Sequence, residues 1–428
     1  YAIFKGLDTL KRLGRRDLME KMKEYVEGGE LAGVRKTRWG LNAFTPLTDE
    51  WYRHLPIKDW GELLKETAPY MADHIAHADD GEYWHRANVN HFAETISTPM
   101  LHVTSWYDTF AEGGPAAYQS ITAKSQFEEA RVGQRLIIGP WGHLLPYTTP
   151  SSRGAGDIDF GPNALIDLNE TLLRWFDYWL KDMDNGMMDE PPVSVFTLGE
   201  NRWQHLSNWP PSNMHRVRYF LHSGGEANSL SGNGTLSCVP PNQEKDDSYV
   251  YDPDNPAPSL GGNNLTVDMG VQDQRPVEER NDVLVYTSEP FTQSLEVTGP
   301  VTVTLWASSS AVDTDFTAKL IDVHPDGYAQ NLLNGIIRAR YRDSVTTPEM
   351  MEAGKPYEFT IDLWATSNVF LPGHRIRLEI SSSHFPEFDR NLNTGEPFGE
   401  GTKWVSAQQT VFHQDDRASY VLLPVIPR

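Results

Sequence analysis

An aspartate and a histidine each follow a short apolar stretch of this sequence. Asp108 ends the stretch PMLHVTSWYD and His143 ends RLIIGPWGH, with enough chain between them for a crossover helix. This pattern predicts two parallel strands joined by a helix, with a polar residue just past the end of each strand. Because the carboxyl ends of parallel strands meet at one edge of a sheet, we expect Asp108 and His143 to lie close together.

This pair has the chemistry needed to activate a hydroxyl group. A serine hydroxyl is a poor nucleophile at neutral pH and needs a base within hydrogen-bonding distance. His143 is the right residue type for that base, and Asp108 would accept a hydrogen bond from its other ring nitrogen. Asp followed by His is also the order of the last two members of a Ser…Asp…His triad on an α/β-hydrolase sheet. The alternative is structural, with the aspartate capping a helix and the histidine lying in a loop.

The serine that would complete such a triad is not recognisable. No G-x-S-x-G occurs in the 428 residues, and four serines lack the strand–turn–helix context of a nucleophile: Ser120, Ser125, Ser151 and Ser152. The chain opens on Tyr1 rather than Met. We therefore expect either the C-terminal part of a longer or cleaved protein or a pseudo-enzyme without the serine. Two strands cannot form a stable doubly covered sheet alone, which favours the first.

Composition narrows the classes of function and partner. The sequence is 39% hydrophobic and contains 13 Trp, which is enough for large cores in two or three domains. The formal net charge of -22 argues against nucleic acid or an anionic membrane as a partner. With Cys238 as the single cysteine, an intrachain disulfide and a thiolate metal cluster are excluded.

Residues 1–95 are predicted to be helical, because apolar residues recur at spacings near three and four: Leu7, Leu10, Leu18, Met22 and Val26. A helical block upstream of the aspartate is expected to form a cap over the active site. Within it, His74 and His77 stand three residues apart among acidic residues, which is one way to bind a metal. A helix end with solvated acids is the preferred interpretation because no third ligand is marked. We expect neither metal nor cofactor.

Residues 96–188 are predicted to be the C-terminal part of an α/β core. After His143 and a Gly-rich loop, the sequence carries an apolar stripe at helical spacing: Leu165, Leu168, Leu172, Phe176 and Trp179. This helix is expected to pack on the sheet after the last strand.

Residues 189–428 change to a period of two. Val301, Val303 and Leu305 alternate with Thr302, Thr304 and Trp306, and the same pattern recurs at 216–221, 358–363 and 375–380. Many alternating strands separated by turn residues predict a β-sandwich or jelly roll. The Pro-, Gly-, Asn- and Asp-rich stretch 252–264 is expected to be a long surface loop, with a calcium site as the alternative. The fold class is therefore α/β plus all-β.

From about residue 70 to the end, the sequence resembles the CocE/NonD hydrolases, a family that includes esterases, acylases and X-prolyl dipeptidyl peptidases. The motifs that carry the resemblance occur in the family's order: SWYDTF, IIGPWGH, WFDYWLKD, VSVFTLGENRWQHLSNWPP, VLVYTSEPF and SSSHFPEFDRNLNTG. The resemblance implies a partial α/β-hydrolase core with a helical cap, followed by a C-terminal jelly-roll β-sandwich of the galactose-binding-like type.

The resemblance also implies roles for individual residues. Asp108 and His143 match the family's triad positions, and Phe110 matches an aromatic that lines the acyl pocket. Where one branch of the family holds a substrate ammonium with a carboxylate, this chain has Phe110, which favours an uncharged acyl group. Further residues predicted to bind substrate are Trp106, Tyr107, Phe385 and Phe388, although the two last are equally consistent with sandwich core.

The expected function is therefore a serine hydrolase that cleaves an ester or amide through an acyl-enzyme, with its serine upstream of this chain. Expected partners are a small-molecule ester or amide and the missing N-terminal hydrolase segment, and the β domain offers a surface for a homo-oligomer. The alternatives are an X-Pro dipeptidyl-peptidase-type aminopeptidase and a non-catalytic carbohydrate- or protein-binding jelly roll.

Overall fold

The computed structural model describes residues 52–143, 153–264 and 269–428, and adds the backbone pairing of Lys36–Thr37 (β1) with Gly40–Leu41 (β2). The helix predicted around residues 7–26 lies outside the described residues. The described part of residues 52–95 is helical, with 3-10 turns at Ile57–Asp59 and Val89–Thr95 and three α-helices, Trp60–Leu63 (α1), Tyr70–Ala76 (α2) and Glu82–His85 (α3). In the described ranges, no helix is both long enough and apolar enough to cross a membrane.

A four-stranded sheet and a separate short strand pair follow this helical region. Their six strands in chain order are Leu101–Tyr107 (β3), Arg135–Gly142 (β4), Gly154–Ala155 (β5), Ile158–Asp159 (β6), Val193–Thr197 (β7) and Arg202–Leu206 (β8). The sheet has the order β3-β4-β7-β8, in which β3, β4 and β7 are parallel, while β5 pairs with β6. Two helices, Gly113–Lys124 (α4) and Glu128–Val132 (α5), connect β3 to β4. The predicted pair of parallel strands with a helical crossover is confirmed.

This sheet extends beyond residue 188, the position at which the sequence predicts that the α/β core ends. Val193 of β7 pairs with Leu136 of β4, so β7 and β8 belong to the sheet of β3 and β4 and not to the β domain. The sequence does not reveal that β7 is a parallel strand, because apolar Val193 and Val195 alternate with polar Ser194 as in an antiparallel strand.

The helix predicted after the Gly-rich loop is present as Leu168–Lys181 (α6), with 3-10 turns at Pro162–Ala164 and Met187–Asp189 on either side. The Asp167 side chain accepts a hydrogen bond from the Glu170 backbone N–H and so caps its first turn. The expected burial of its apolar stripe is wrong in part. Leu168 is buried, but Leu165 and Phe176 are 40% and 49% exposed, because no described element covers that face.

The remaining strands of the described chain are His215–His222 (β9), Thr235–Ser237 (β10), Asp247–Tyr251 (β11), Leu284–Ser288 (β12), Leu295–Ser309 (β13), Asp315–Val323 (β14), Ala329–Arg338 (β15), Tyr357–Phe370 (β16), Arg375–Ser381 (β17), Ala407–Val411 (β18), His413–Gln414 (β19), Arg417–Ala418 (β20) and Tyr420–Ile426 (β21). All except β19 and β20 form an 11-stranded sheet in the order β11-β18-β13-β21-β9-β10-β12-β17-β14-β15, with β16 paired to β13. Strands β19 and β20 pair with each other as a short hairpin. A four-residue helix, Arg275–Glu278 (α7), and a 3-10 turn, Ala339–Tyr341, interrupt them.

Alternation correctly predicts the inward face of β13. Val301, Val303 and Leu305 are fully buried, while Thr302 and Thr304 between them are half-buried. The stretch 252–264 is not the expected surface loop, since most of it is buried, including Ala257, Asn263 and Asn264.

Strand β17 departs from the predicted alternation because its polar residues are buried as well. Arg377 and Glu379 are 8% and 2% exposed. Arg377 donates to Glu278 of α7 at 2.6 Å, and Glu379 pairs at 2.9 Å with Lys319, its cross-strand neighbour on β14. Helix α7 thus covers this face of the sheet through paired buried charges, although one oxygen of Glu278 and one of Glu379 accept no hydrogen bond in the described chain.

Burial, reinforced by the Glu379 carboxylate and opposed by Arg377, raises the pKa of Glu278 from 4.5 to about 7. A folded-state pKa above the unfolded value favours folding below about pH 4.5, and this contribution is lost as pH rises through about 7. The free energy of unfolding of the wild-type protein should therefore fall between pH 5 and pH 8. We expect Glu278→Gln to make that fall smaller by about 1–3 kcal/mol. Denaturant titrations at both pH values measure it, and an unchanged pH dependence would contradict this assignment.

Candidate active site

Asp108 lies immediately after β3 and is almost fully buried, with 4% of its surface exposed. Its carboxylate Oδ1 accepts a hydrogen bond from the Phe110 backbone N–H at 2.9 Å, which fixes the side chain against the turn that leaves the strand. The turn is closed by a backbone bond from the Ala111 N–H to the Asp108 carbonyl at 3.0 Å. Backbone contacts alone therefore hold the carboxylate in place.

His143 lies immediately after β4, and its Nδ1 is 3.0 Å from Oδ1 of Asp108. An ionised carboxylate only accepts hydrogen bonds, so Nδ1 carries the proton and Nε2 of the neutral ring keeps its lone pair. The His143 side chain remains 33% exposed, whereas that of Asp108 is 6% exposed. The arrangement is a partly exposed histidine oriented by a buried acid, and no hydrogen bond to Nε2 of His143 is found within the described residues.

Strand register explains why these two residues meet. Tyr107 of β3 is paired with Gly142 of β4, after an irregularity beyond Ser105, so the next residue on each strand is Asp108 or His143. A side chain at Gly142 would clash with the segment beside it, because the Met269 sulfur would lie 2.6 Å from its Cβ. Sequence reasoning missed this approach of Met269, since only tertiary contact brings residues 269–271 to the end of β4.

Phe110 is next to the imidazole, as expected for a residue that lines the site. Its ring centroid is 5.5 Å from that of His143 with the planes at 63°, and the residue is 60% exposed. An exposed aromatic beside an exposed base leaves an apolar surface for a ligand.

Trp106 and Tyr107, predicted to bind substrate, are core residues instead. They are 3% and 0% exposed, and each donates to a backbone carbonyl, Trp106 to Phe196 at 2.6 Å and Tyr107 to Asn331 at 3.1 Å. Neighbouring side chains on a strand point to opposite faces, and both faces of β3 are covered here. Neither side chain has the surface needed to contact a ligand.

The two phenylalanines from the loop 384–391 have different surroundings. Phe385 is 4% exposed and lies under the Arg53 guanidinium, 5.2 Å from its ring centroid, which makes it a packing residue. Phe388 lines an open cleft between the helical segment and the β domain, together with His74, Trp84 and Tyr341. Within the described residues, no hydrogen bond or ring contact joins either phenylalanine to His143.

Comparison with known proteins places this site in a family. Residues 40–145 match the X-Pro dipeptidyl-peptidase (S15 family) profile, and residues 185–422 match the X-Pro dipeptidyl-peptidase C-terminal non-catalytic domain. The chain is 37% identical to a cocaine esterase of Rhodococcus sp. (strain MB1 Bresler) over 407 residues, covering 93% of this chain and 67% of the relative. The chain belongs to the CocE/NonD family of hydrolases.

Two solved structures carry the same architecture. An aminopeptidase from a marine sediment Thaumarchaeota archaeon superposes with a TM-score of 0.74 at 26% identity, covering 86% of this chain and 62% of that one. An α-amino acid ester hydrolase gives 0.72 at 26% identity, covering 87% and 63%. These neighbours support an α/β-hydrolase core joined to a C-terminal β domain. The chain spans less than two thirds of either structure.

Proposed function

We propose that this chain supplies the base and the acid of a serine hydrolase that cleaves an ester or amide bond through an acyl-enzyme. The observation that carries this proposal is the 3.0 Å contact between His143 Nδ1 and Asp108 Oδ1. His143 Nε2 would remove the proton from the serine hydroxyl and later deliver it to the leaving group. Asp108 would hold the productive tautomer and stabilise the imidazolium that forms in between.

The nucleophilic serine of this proposal lies outside the 428 residues, in a hydrolase segment that joins the sheet at β3. In support, β3 pairs with β4 on one edge and with no strand of the described chain on the other. The solvent face of α6 is also apolar, with Leu173, Phe176 and Leu180 exposed by 59%, 49% and 75%. Such a face and an open parallel edge are what a further part of the same sheet would cover.

The domain arrangement that follows is a proposal too. Residues 1–95 would form the helical cap, 96–188 the C-terminal part of the hydrolase core and 189–428 a jelly-roll β-sandwich. The mainly antiparallel pairing of β9–β21 supports the sandwich. The pairing of β7 with β4 favours moving the second boundary to the end of β8.

Phe110 would contact the acyl group in this proposal. We expect Phe110→Ala to raise KM for an ester with an apolar acyl group about tenfold, because roughly 1–2 kcal/mol of apolar contact is lost. The kcat value should change much less, since His143 and Asp108 keep their hydrogen bond. Steady-state kinetics separates the two, with Phe127→Ala as a control, an exposed phenylalanine at the start of α5. A fall in kcat without a change in KM would remove Phe110 from the acyl pocket.

The matches to the S15 family favour a second candidate, an X-Pro dipeptidyl-peptidase-type aminopeptidase. Full-length protein should be assayed on aryl esters of apolar acids and on X-Pro dipeptidyl anilides. Turnover of the esters alone supports the esterase, and turnover of the anilides supports the peptidase. If neither is cleaved while the protein binds a polysaccharide, the non-catalytic binding module is the better account.

A further inference from the structure

A buried carboxylate and two histidines that are not part of the Asp108–His143 pair meet near the edge of the β domain. Asp322 is the last residue but one of β14, His324 directly follows that strand, and His374 directly precedes β17. One potential ligand atom from each of the three lies within 4.8 Å of the others. The antiparallel pairing of Asp322 with Ile376 brings together two segments that are 54 residues apart in the sequence.

The carboxylate in this cluster lacks a strong cationic partner. Asp322 is 1% exposed, and in the described chain its only ion pair is with His374, whose Nδ1 lies 2.7 Å from Oδ1. Its other oxygen accepts from the Asn368 amide at 3.2 Å. Buried carboxylates are normally paired with a cation or bound to a metal, so a neutral His374 would leave one negative charge uncompensated here.

Hydrogen bonds orient both imidazoles for coordination. His324 Nε2 is 3.1 Å from the Gln330 side-chain oxygen, which only accepts, so its proton is on Nε2 and its Nδ1 carries a lone pair. That Nδ1 has no protein partner among the described residues. The rings of His324 and His374 are 4.6 Å apart between centroids. Outer partners such as Gln330 and Asn368 are the type that holds the ligands of metal sites in place.

We propose that Asp322, His324 and His374 form a site for one divalent transition-metal ion of the Zn²⁺ or Co²⁺ class. The ion would bind an Asp322 oxygen, His324 Nδ1 and His374 Nδ1, with water in the fourth position. His374 would stay neutral by moving its proton from Nδ1 to Nε2. Two ligands of a tetrahedral ion at about 2.0–2.1 Å are about 3.3 Å apart, so the 2.7 Å contact must widen slightly.

The bound ion would link the β14–β15 turn to the β16–β17 turn. It would also lie close to β3, because Gln330, the partner of His324, approaches the Tyr107 hydroxyl at 3.5 Å. Tyr107 directly precedes Asp108. The site therefore stabilises the β domain at its contact with the hydrolase core. Sequence reasoning missed this cluster, because His374 lies 52 residues from Asp322 and joins Asp322 and His324 only through the pairing of β14 with β17.

The test is metal binding by untagged full-length protein after treatment with a chelator. We expect one equivalent of Zn²⁺ by titration calorimetry, and visible d–d bands on addition of Co²⁺. His324→Ala and Asp322→Asn should weaken binding by about 100-fold or more, and Asn368→Ala by about tenfold. His222→Ala is the matched control, since His222 pairs with Glu244 at 2.7 Å in the same domain. It should bind as wild type does.

Several results would overturn the proposal. One is wild-type protein that takes up neither ion, and another is a His324→Ala variant that binds as tightly as wild type. Equal weakening in His222→Ala would show that the loss is not specific to the cluster. If Asp322→Asn fails to fold, His324→Ala decides, because His324 lies in the turn after β14 and is only partly buried. Zn²⁺ should also raise the melting temperature of wild type and leave that of His324→Ala unchanged.

Discussion

Replacing His143 with alanine should lower kcat/KM of the full-length protein by about ten-thousandfold, while the protein remains folded. Among the side chains that the structure describes, the His143 imidazole is the one that contacts the Asp108 carboxylate, so its removal would take away the base that accepts the proton of a serine hydroxyl. Its side chain is one-third exposed, so truncation removes little packing. Kinetics with an activated acyl ester measures the loss, and a thermal melt confirms folding.

The matched control for this substitution is His205→Ala. His205 is an exposed histidine on β8 of the same sheet and contacts the Ser194 hydroxyl at 2.9 Å. Its loss should leave kcat/KM nearly unchanged. A change of less than about tenfold on replacing His143 would remove that residue from the mechanism.

Asp108→Asn should cost nearly as much, about ten-thousandfold in kcat, although it keeps the shape of the site. The carboxylate accepts from His143 Nδ1, and an amide presented through its nitrogen would donate there instead. The imidazole would then carry its proton on Nε2, where it cannot accept one from serine. Binding should be less affected, so the change should appear in kcat more than in KM.

Asp177→Asn serves as the control for this second variant. Asp177 is a surface carboxylate on α6 that pairs with Lys181 at 2.6 Å and has no contact with the candidate site in the described chain. We expect normal activity from it. If Asp108→Asn retained more than about one tenth of the wild-type kcat, Asp108 would be a structural cap of the turn at Phe110 and not a catalytic partner.

The sequence was sufficient to predict the meeting of Asp108 and His143. Apolar runs that end in polar residues mark the carboxyl ends of buried parallel strands, and the order of residues fixed the crossover between them. Trp106 and Tyr107 show the limit of this reasoning. Both are predicted from the sequence to bind substrate, but adjacent strand residues point to opposite, covered faces and both are buried.

Longer-range features could not be predicted, because they depend on which strands become neighbours. From the sequence, the charged residues of β17 are expected to face solvent, but in the structure α7 covers them. The cluster of Asp322, His324 and His374 depends on the pairing of β14 with β17. In α6, the apolar stripe predicted the helix but not its partner, and part of it lies open to solvent.

The most direct test of the central claim is labelling of the full-length protein with a fluorophosphonate, followed by mapping of the modified peptide. The account predicts one labelled serine, located outside the 428 residues of this sequence, and much slower labelling in His143→Ala. Absence of labelling in the active wild-type protein would contradict it. A labelled serine within these 428 residues would equally contradict the proposed location of the nucleophile.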